Sequence, residues 1–359
     1  MKGPLKEFPI IKTKVSNLER RFNLTDPAER KEYFEAKVGS EIAKIKKYLA
    51  ENTFIAYFLG KKNSGKGTYT KLMMEIFGED KIGHISVGDL VRNIHKDIDN
   101  PKKRDEIVEY LEEHYRGYIS IEEAINALIG KNQKALLPTE FILTLLKREI
   151  DKYDRKAIFI DGFPRDLDQV QYSLYFRDLA DYRLDPDIFV AIDIPESVLD
   201  ERMRNRVVCP ICQAPRSLTV LATKEVGYDK ETQKFFLICD NPKCHGVRMI
   251  GKEGDEAGIE SIRERIALDD KLIKKVMSLH GIPKILLRNA VPIDSAKNNV
   301  DDYEITPRYV FKYNEETDKV AVSQEPWVFK DDEGVDSYSL LAPVVIVGLI
   351  KQLVKALGF

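Results

Sequence analysis

With 359 residues, 43% of them apolar, and 16 each of Phe and Tyr, the chain can bury a sizeable core as one large domain or about two smaller ones. Its 57 Lys and Arg nearly balance 59 Asp and Glu, which excludes a global field for nucleic acid or an anionic membrane, so any phosphate must be held by local clusters. The start, Met1-Lys2-Gly3-Pro4, has no charged-then-apolar leader, and the longest apolar stretch, 340–350, contains Pro343 and is too short to span a bilayer; a cytoplasmic location is expected.

In chain order, residues 27–49 carry Phe34, Val38, Ile42, Ile45 and Leu49 at helical spacing behind a Thr25-Asp26-Pro27 start, predicting an N-terminal helix. Three apolar runs, 54–59, 157–160 and 188–192, read as strands separated by long helical stretches such as 140–150. That alternation predicts an α/β fold with a parallel sheet covered by helices on both faces. Residues 207–250, rich in turn residues and holding all four cysteines, read as a small inserted β-rich module. Helical periodicity resumes over 259–279. After Ile293 come β-rich runs at 308–313 and 319–329 around a turn at 314–318, and then an apolar helix from about Ser339. No internal repeat or long low-complexity segment is visible.

The first strand runs into Gly60-Lys61-Lys62-Asn63-Ser64-Gly65-Lys66-Gly67-Thr68 and then a helical run. A strand, a G-x4-G-K loop and a helix form the phosphate-cradling arrangement, in which backbone N–H groups and the helix N-terminus face the anion and Lys66 adds a charge. Gly67 stands where most such loops have Ser or Thr, and the hydroxyl follows at Thr68. Asp161, at the end of another strand, suits holding hydrated Mg²⁺, the bland alternative being a helix cap. The cysteines, Cys209-x2-Cys212 and Cys239-x4-Cys244, have the spacing of a Cys₄ zinc ribbon, with His245 as an alternative ligand; a closed Cys₄ site is structural rather than catalytic. His84, His95, His114 and His280 pair with no nucleophile, and Trp327 reads as packing.

The Gly65-Lys66-Gly67-Thr68 ending of the loop, together with Asp161-Gly162-Phe163-Pro164-Arg165 directly after a strand, resembles the adenylate kinases, and the likeness can be followed from about Phe54 to Lys297. The resemblance implies a P-loop parallel-sheet core over 53–302, with an inserted acceptor (NMP-binding) domain at about 85–140 and a zinc-ribbon lid at about 207–256. Residues 1–52 are then a helical N-terminal extension and 303–359 a β-rich C-terminal addition with a terminal helix. It implies phosphoryl transfer from ATP-Mg²⁺ to a nucleoside monophosphate, most simply AMP. Alternatives are a UMP/CMP kinase of the same fold, a catalytically weak nucleotide-binding regulator, or a zinc-ribbon nucleic-acid binder, which the near-neutral charge opposes.

By the same resemblance ATP meets Gly60, Asn63, Ser64, Gly65, Lys66, Gly67 and Thr68, with its base near Arg202 and Lys297. The monophosphate meets Val87, Arg92, Leu137, Arg165 and Gln169. Lys66, Asp161, Arg165, Arg206 and Arg265 surround the transferring group, since phosphoryl transfer asks for positioned charge more than for a general base. Arg204 and Arg263 are expected on the surface. Three departures stand out: Val87 replaces a Thr common in relatives, Lys62 and Asn63 replace Pro and Gly, and the lid stretch Gly251-Lys252-Glu253-Gly254-Asp255-Glu256 offers Lys252 where relatives carry Arg. The stretch 113–133 is longer than in relatives and has no assigned role. Partners are ATP, a monophosphate, Mg²⁺ and a structural Zn²⁺; neither nucleic acid nor membrane is expected, and a monomer is favoured.

Overall fold

The computed structural model describes residues 8–130, 138–163 and 182–359. Five short apolar segments form its central sheet: β1 (Ile55–Gly60), β2 (Ile82–Ser86), β3 (Ala157–Asp161), β4 (Asp187–Asp193) and β10 (Lys284–Arg288), in the order β10-β4-β1-β3-β2. Every pairing is parallel, which requires crossover connections between the strands rather than tight hairpins. β1, β3 and β4 lie inside the sheet and are buried along nearly their whole length, which is why they read as continuous apolar runs. β2 and β10 are the edge strands; Gly83 and His84 interrupt the first and charged ends close on the second, and neither was expected from pattern alone.

Helix α1 (Pro27–Tyr48) starts where Asp26 accepts from the N–H groups of Ala28 and Glu29, with Pro27 in the first turn. Helix α2 (Lys66–Phe77) follows the phosphate loop and packs Leu72, Met73 and Phe77 under the sheet. Helices α3 (Val87–Asp97), α4 (Pro101–His114), α5 (Ile121–Leu128) and α6 (Thr139–Asp151) close around Leu90, Ile94, Leu111, Ile125, Phe141 and Leu145, a small core separate from the two that cover the sheet. Part of the long stretch at 113–133 is thus α5, begun by a reciprocal Ser120–Glu123 cap.

From α7 (Glu196–Arg204) the chain enters a β-rich module. β5 (Arg206–Val208) pairs with β6 (Pro215–Ser217) and β9 (Ile250–Gly251), and β7 (Val226–Asp229) pairs with β8 (Lys234–Leu237). Helix α8 (Arg263–Met277) leads back to β10.

The C-terminal addition packs on both the inserted module and the sheet-bearing core. After β11 (Val291–Pro292) and α9 (Ile293–Asn299) comes a long hairpin, β12 (Pro307–Asn314) with β13 (Lys319–Pro326). Its aromatic side leans on the inserted module: Tyr313 stacks on Tyr228 at 4.3 Å, and Phe311 lies 5.5 Å from Phe235. β14 (Val328–Lys330) and β15 (Asp336–Tyr338) extend from β11, and α10 (Ala342–Ala356) ends buried between α1, α2 and β10. The N-terminal extension is tied to this addition by buried polar contacts, with Tyr33 donating to Glu304 at 2.6 Å and Lys37 to Asp301 at 2.6 Å. No helix among the described residues is long and apolar enough to cross a membrane.

Candidate active site

The carboxyl ends of the parallel strands open on one side, where the phosphate loop turns from β1 into α2. Backbone geometry explains the residue choice there. Gly65 sits at φ +97° and Asn63 at φ +66°, the left-handed region that Gly adopts freely and Asn tolerates better than most, so Asn63 serves where relatives carry Gly. A Cβ on Gly60 would meet the Ile192 carbonyl oxygen at 2.9 Å and the Ser64 hydroxyl at 2.8 Å, whereas at Gly67 it would enter open space.

Lys66 bends back over this loop. Its ammonium donates to the carbonyls of Gly60 at 2.9 Å and Lys61 at 3.1 Å and lies 3.8 Å from Asp161. Asp161 is the last residue of β3 and lies opposite Phe58 of β1 and Ser86 of β2, so the sheet register brings the acid to the loop. Two cavities meet at this point and share Asn63, Lys66 and Asp161. One, of about 610 Å³, runs along the loop to Tyr69, Arg202, Arg206 and the module's Val220. The other, of about 920 Å³, passes Gly162 and the start of α8, including Arg265.

Several expected residues are gathered there, and several are not. Arg206 forms a bidentate ion pair with Asp255 and donates to the Asn63 side chain at 2.8 Å, linking module and loop. Asp255 is the inward residue of its stretch, while Lys252, read in an arginine's place, is exposed and lines neither cavity. Arg265 pairs with Asp269 at 2.9 Å. Burial pushes the Asp269 carboxyl upward, opposed by Arg265, Lys66 and the Lys62 N–H. Arg204, paired with Asp200, is on the surface as read; Arg263 is half-exposed against Glu260 and Glu196 but also rims the larger cavity.

Val87 is not a cavity residue: as the first residue of α3, behind the Ser86 cap, its side chain packs into the core with Ile85 and Leu143. Arg92 pairs with Asp89 one turn earlier and stays exposed, lining neither cavity. Lys297 sits on α9 with its carbonyl accepting from Lys14 at 2.8 Å; the far end of the smaller cavity is instead walled by Asn289, Thr306 and 340–342. Leu137, Arg165 and Gln169 lie outside the described residues.

Behind the loop is a charged cluster that sequence reasoning missed. Lys61, buried, lies 3.6 Å from Asp270 and 3.7 Å from Asp332, and Arg288 lies 3.2 Å from Asp193 and 2.8 Å from Asp331. Burial pushes Asp193 up to about 6, against the pull of Arg288 and Lys61. A carboxyl whose folded pKa exceeds its unfolded value near 3.9 contributes stability at low pH that is lost as pH rises through about 6. Asp193→Asn should therefore gain on the wild type by up to about 3 kcal/mol between roughly pH 4 and pH 7. Urea unfolding of both proteins across that range measures it, and a pH-independent difference would remove the assignment.

In the inserted module Cys209, Cys239 and Cys244 are buried and Cys212 is exposed, yet all four sulfurs lie within 4.8 Å of one another. Tight turns present them: Gln213, at φ +58°, donates to the Cys209 carbonyl, and Cys244 donates to that of Asn241. A tetrahedral Zn–S bond of about 2.3 Å implies sulfurs about 3.8 Å apart, and Cys212 and Cys239 stand 3.7 Å apart. The donor set thus fits a structural zinc, and His245 is not part of it.

A family model described as an AAA domain matches residues 59–208. An adenylate kinase of Thermotoga neapolitana is 28% identical over 232 residues, 64% of this chain and 87% of the relative. One from Petrotoga mobilis is 27% identical over 249 residues, 68% of this chain and 91% of the relative. The chain is similar to the adenylate kinases, and these similarities support a nucleoside monophosphate kinase. A probable UMP-CMP kinase 2 of Arabidopsis thaliana, 26% identical over 201 residues, 55% of this chain and 66% of the relative, is also similar. The five-stranded parallel sheet flanked by helices accordingly fits a P-loop α/β kinase fold.

Proposed function

We propose that this kinase moves the terminal phosphoryl group of ATP to AMP, giving two ADP. The observation that carries the reading is the pair of cavities meeting at Asn63, Lys66 and Asp161, which suits two nucleotides approaching one reacting phosphate from opposite sides. The smaller cavity takes ATP, its phosphates in the loop 60–68 and its base toward Arg202. The larger takes the acceptor, next to Gly162, after which the chain continues to Arg165 and Gln169.

Lys66, Arg206 and Arg265 supply fixed positive charge where charge spreads in the transition state, and no general base is required. Asp161 and Thr68 would hold Mg²⁺, which supplies neutralisation of the phosphate oxygens. The module 207–256 acts as a lid that keeps water from the donor; its four cysteines would hold a structural Zn²⁺. Arg92, free of both cavities here, would reach the acceptor phosphate as α3–α6 close on it.

The choice of AMP rests on Gln169, four residues beyond Arg165. A side-chain amide can accept from adenine N6–H₂ while donating to N7, a pairing that pyrimidines and guanine do not offer. Turnover with ATP and each monophosphate tests it: kcat/KM for AMP should exceed that for UMP, CMP and GMP at least about a hundredfold. Gln169→Ala should erode the preference while leaving the KM for ATP nearly unchanged. Equal or better use of UMP or CMP would favour the second reading, which the similarity to the Arabidopsis protein supports; turnover of none would favour a regulator.

A further inference from the structure

The smaller cavity has a wall that belongs to the C-terminal addition. Thr306 and the residues 340–342 line it together with Arg202, Tyr69 and Asn289. Asn289 fixes this wall to the core: its side-chain carbonyl accepts from the Leu340 N–H at 2.7 Å and the Ser339 hydroxyl at 3.1 Å, and its amide donates to the Tyr69 hydroxyl at 3.2 Å. Tyr69 lies in the first turn of α2, so the clamp links the addition to the helix that follows the phosphate loop.

Three groups on this wall and facing it lack partners. Among the described residues Arg202 makes no hydrogen bond or ion pair, although burial draws its pKa down, an effect that Tyr69 only partly offsets. A planar cation in that setting is suited to lie against the face of a flat aromatic ring. Thr306 is 6% exposed; its N–H donates to the Ser339 carbonyl, and its hydroxyl has no partner among the described residues. Leu340 and Leu341 spend their N–H groups on Asn289 and Glu304, but Ala342 opens α10 and its N–H has no acceptor within the helix. Leu340, Leu341 and Val220 add apolar surface to the same cavity. Apolar area, a stacking cation and a few convergent polar groups make a pocket for a nucleobase rather than for more phosphate.

We infer that Thr306 and Leu340–Ala342 build the donor-base subsite of this kinase, the adenine of ATP lying between them and the Arg202 guanidinium, with the Thr306 hydroxyl and the Ala342 N–H as its hydrogen-bonding groups. The C-terminal addition is then part of the substrate site and not only an outer brace. This rests on the smaller cavity being the ATP cavity.

Calorimetric binding of ATP and of inorganic tripolyphosphate to the full chain separates base from phosphate contacts. Thr306→Val, which removes the hydroxyl at nearly constant volume, and Ala342→Leu, which fills the pocket, should each weaken ATP about tenfold or more and leave tripolyphosphate within about twofold. Lys66→Met should weaken both ligands. ATP affinity unchanged in Thr306→Val and Ala342→Leu while Lys66→Met weakens binding would overturn the subsite and leave the kinase reading standing. Equal loss of ATP and tripolyphosphate in the two wall variants would also overturn it, by showing general damage. Binding of both ligands indifferent to Lys66→Met would remove the cavity assignment and the inference with it.

Discussion

Lys66→Met is expected to fold like the wild type and to lose at least about a hundredfold in kcat, about 2.7 kcal/mol of transition-state stabilisation. The ammonium stands where the two cavities meet, 3.8 Å from Asp161 and bonded to the carbonyls of Gly60 and Lys61. A charge already held in place costs no reorganisation as the phosphoryl group moves, and a methionine of similar length removes it while keeping the stem that packs on the loop. The fold is not at stake, because the loop's turn rests on Gly60, Asn63 and Gly65 and on the Ser64 N–H donating to the Lys61 carbonyl. Turnover at saturating ATP and AMP, beside thermal melts of both proteins, measures this. A folded variant with near-wild-type kcat would show that the charge does not act on the reaction.

The centre of this molecule was legible and its margins were not, for physical reasons. β1, β3 and β4 are buried on both faces and therefore spell out unbroken apolar runs, and the loop after β1 is constrained enough by positive φ and close approach to announce itself. The Cys₄ set was legible because metal geometry dictates spacing. β2 and β10, edge strands with half their residues partly exposed, carry no such run. Hairpin β12–β13 and helix α10 could be seen as elements, but nothing local says that 340–342 reach the cavity or that Tyr313 stacks on Tyr228, since those contacts join residues far apart in the chain. Lys297 illustrates the limit: the resemblance puts it near the ATP base, but the addition that follows it brings Thr306 and 340–342 to the cavity wall. Val87 differs in another way. An apolar residue where relatives have Thr suggests an altered contact with the acceptor, and the structure places this one in the core.

Purified protein should carry about one Zn²⁺ per chain, and removing it should cost at least about a hundredfold in kcat/KM while the parallel-sheet core stays folded. The module around the cysteines has little apolar substance of its own: its buried cluster is Val207, Leu237 and Met249 together with Cys209, Cys239 and Cys244 themselves. In such a small unit the metal's binding free energy, about 10–16 kcal/mol in zinc-finger peptides, is in effect folding free energy, so the strands β5, β6 and β9 should not hold their positions without it. The consequence reaches the reacting phosphate through Arg206, which begins β5 and is held by Asp255 just beyond β9; once the module loosens, neither this pair nor the Arg206 bond to Asn63 has a fixed frame. Losing one preorganised cation typically costs 10²–10³ in rate. The core, with its separate apolar clusters, is expected to melt at nearly the same temperature, as is Cys209→Ser, where one inward ligand is gone. Metal analysis, chelation followed by activity and re-addition of Zn²⁺, and limited proteolysis within 207–256 together make the test. Protein purified without chelator that contains no metal and is fully active would show that the four cysteines shape the lid unaided.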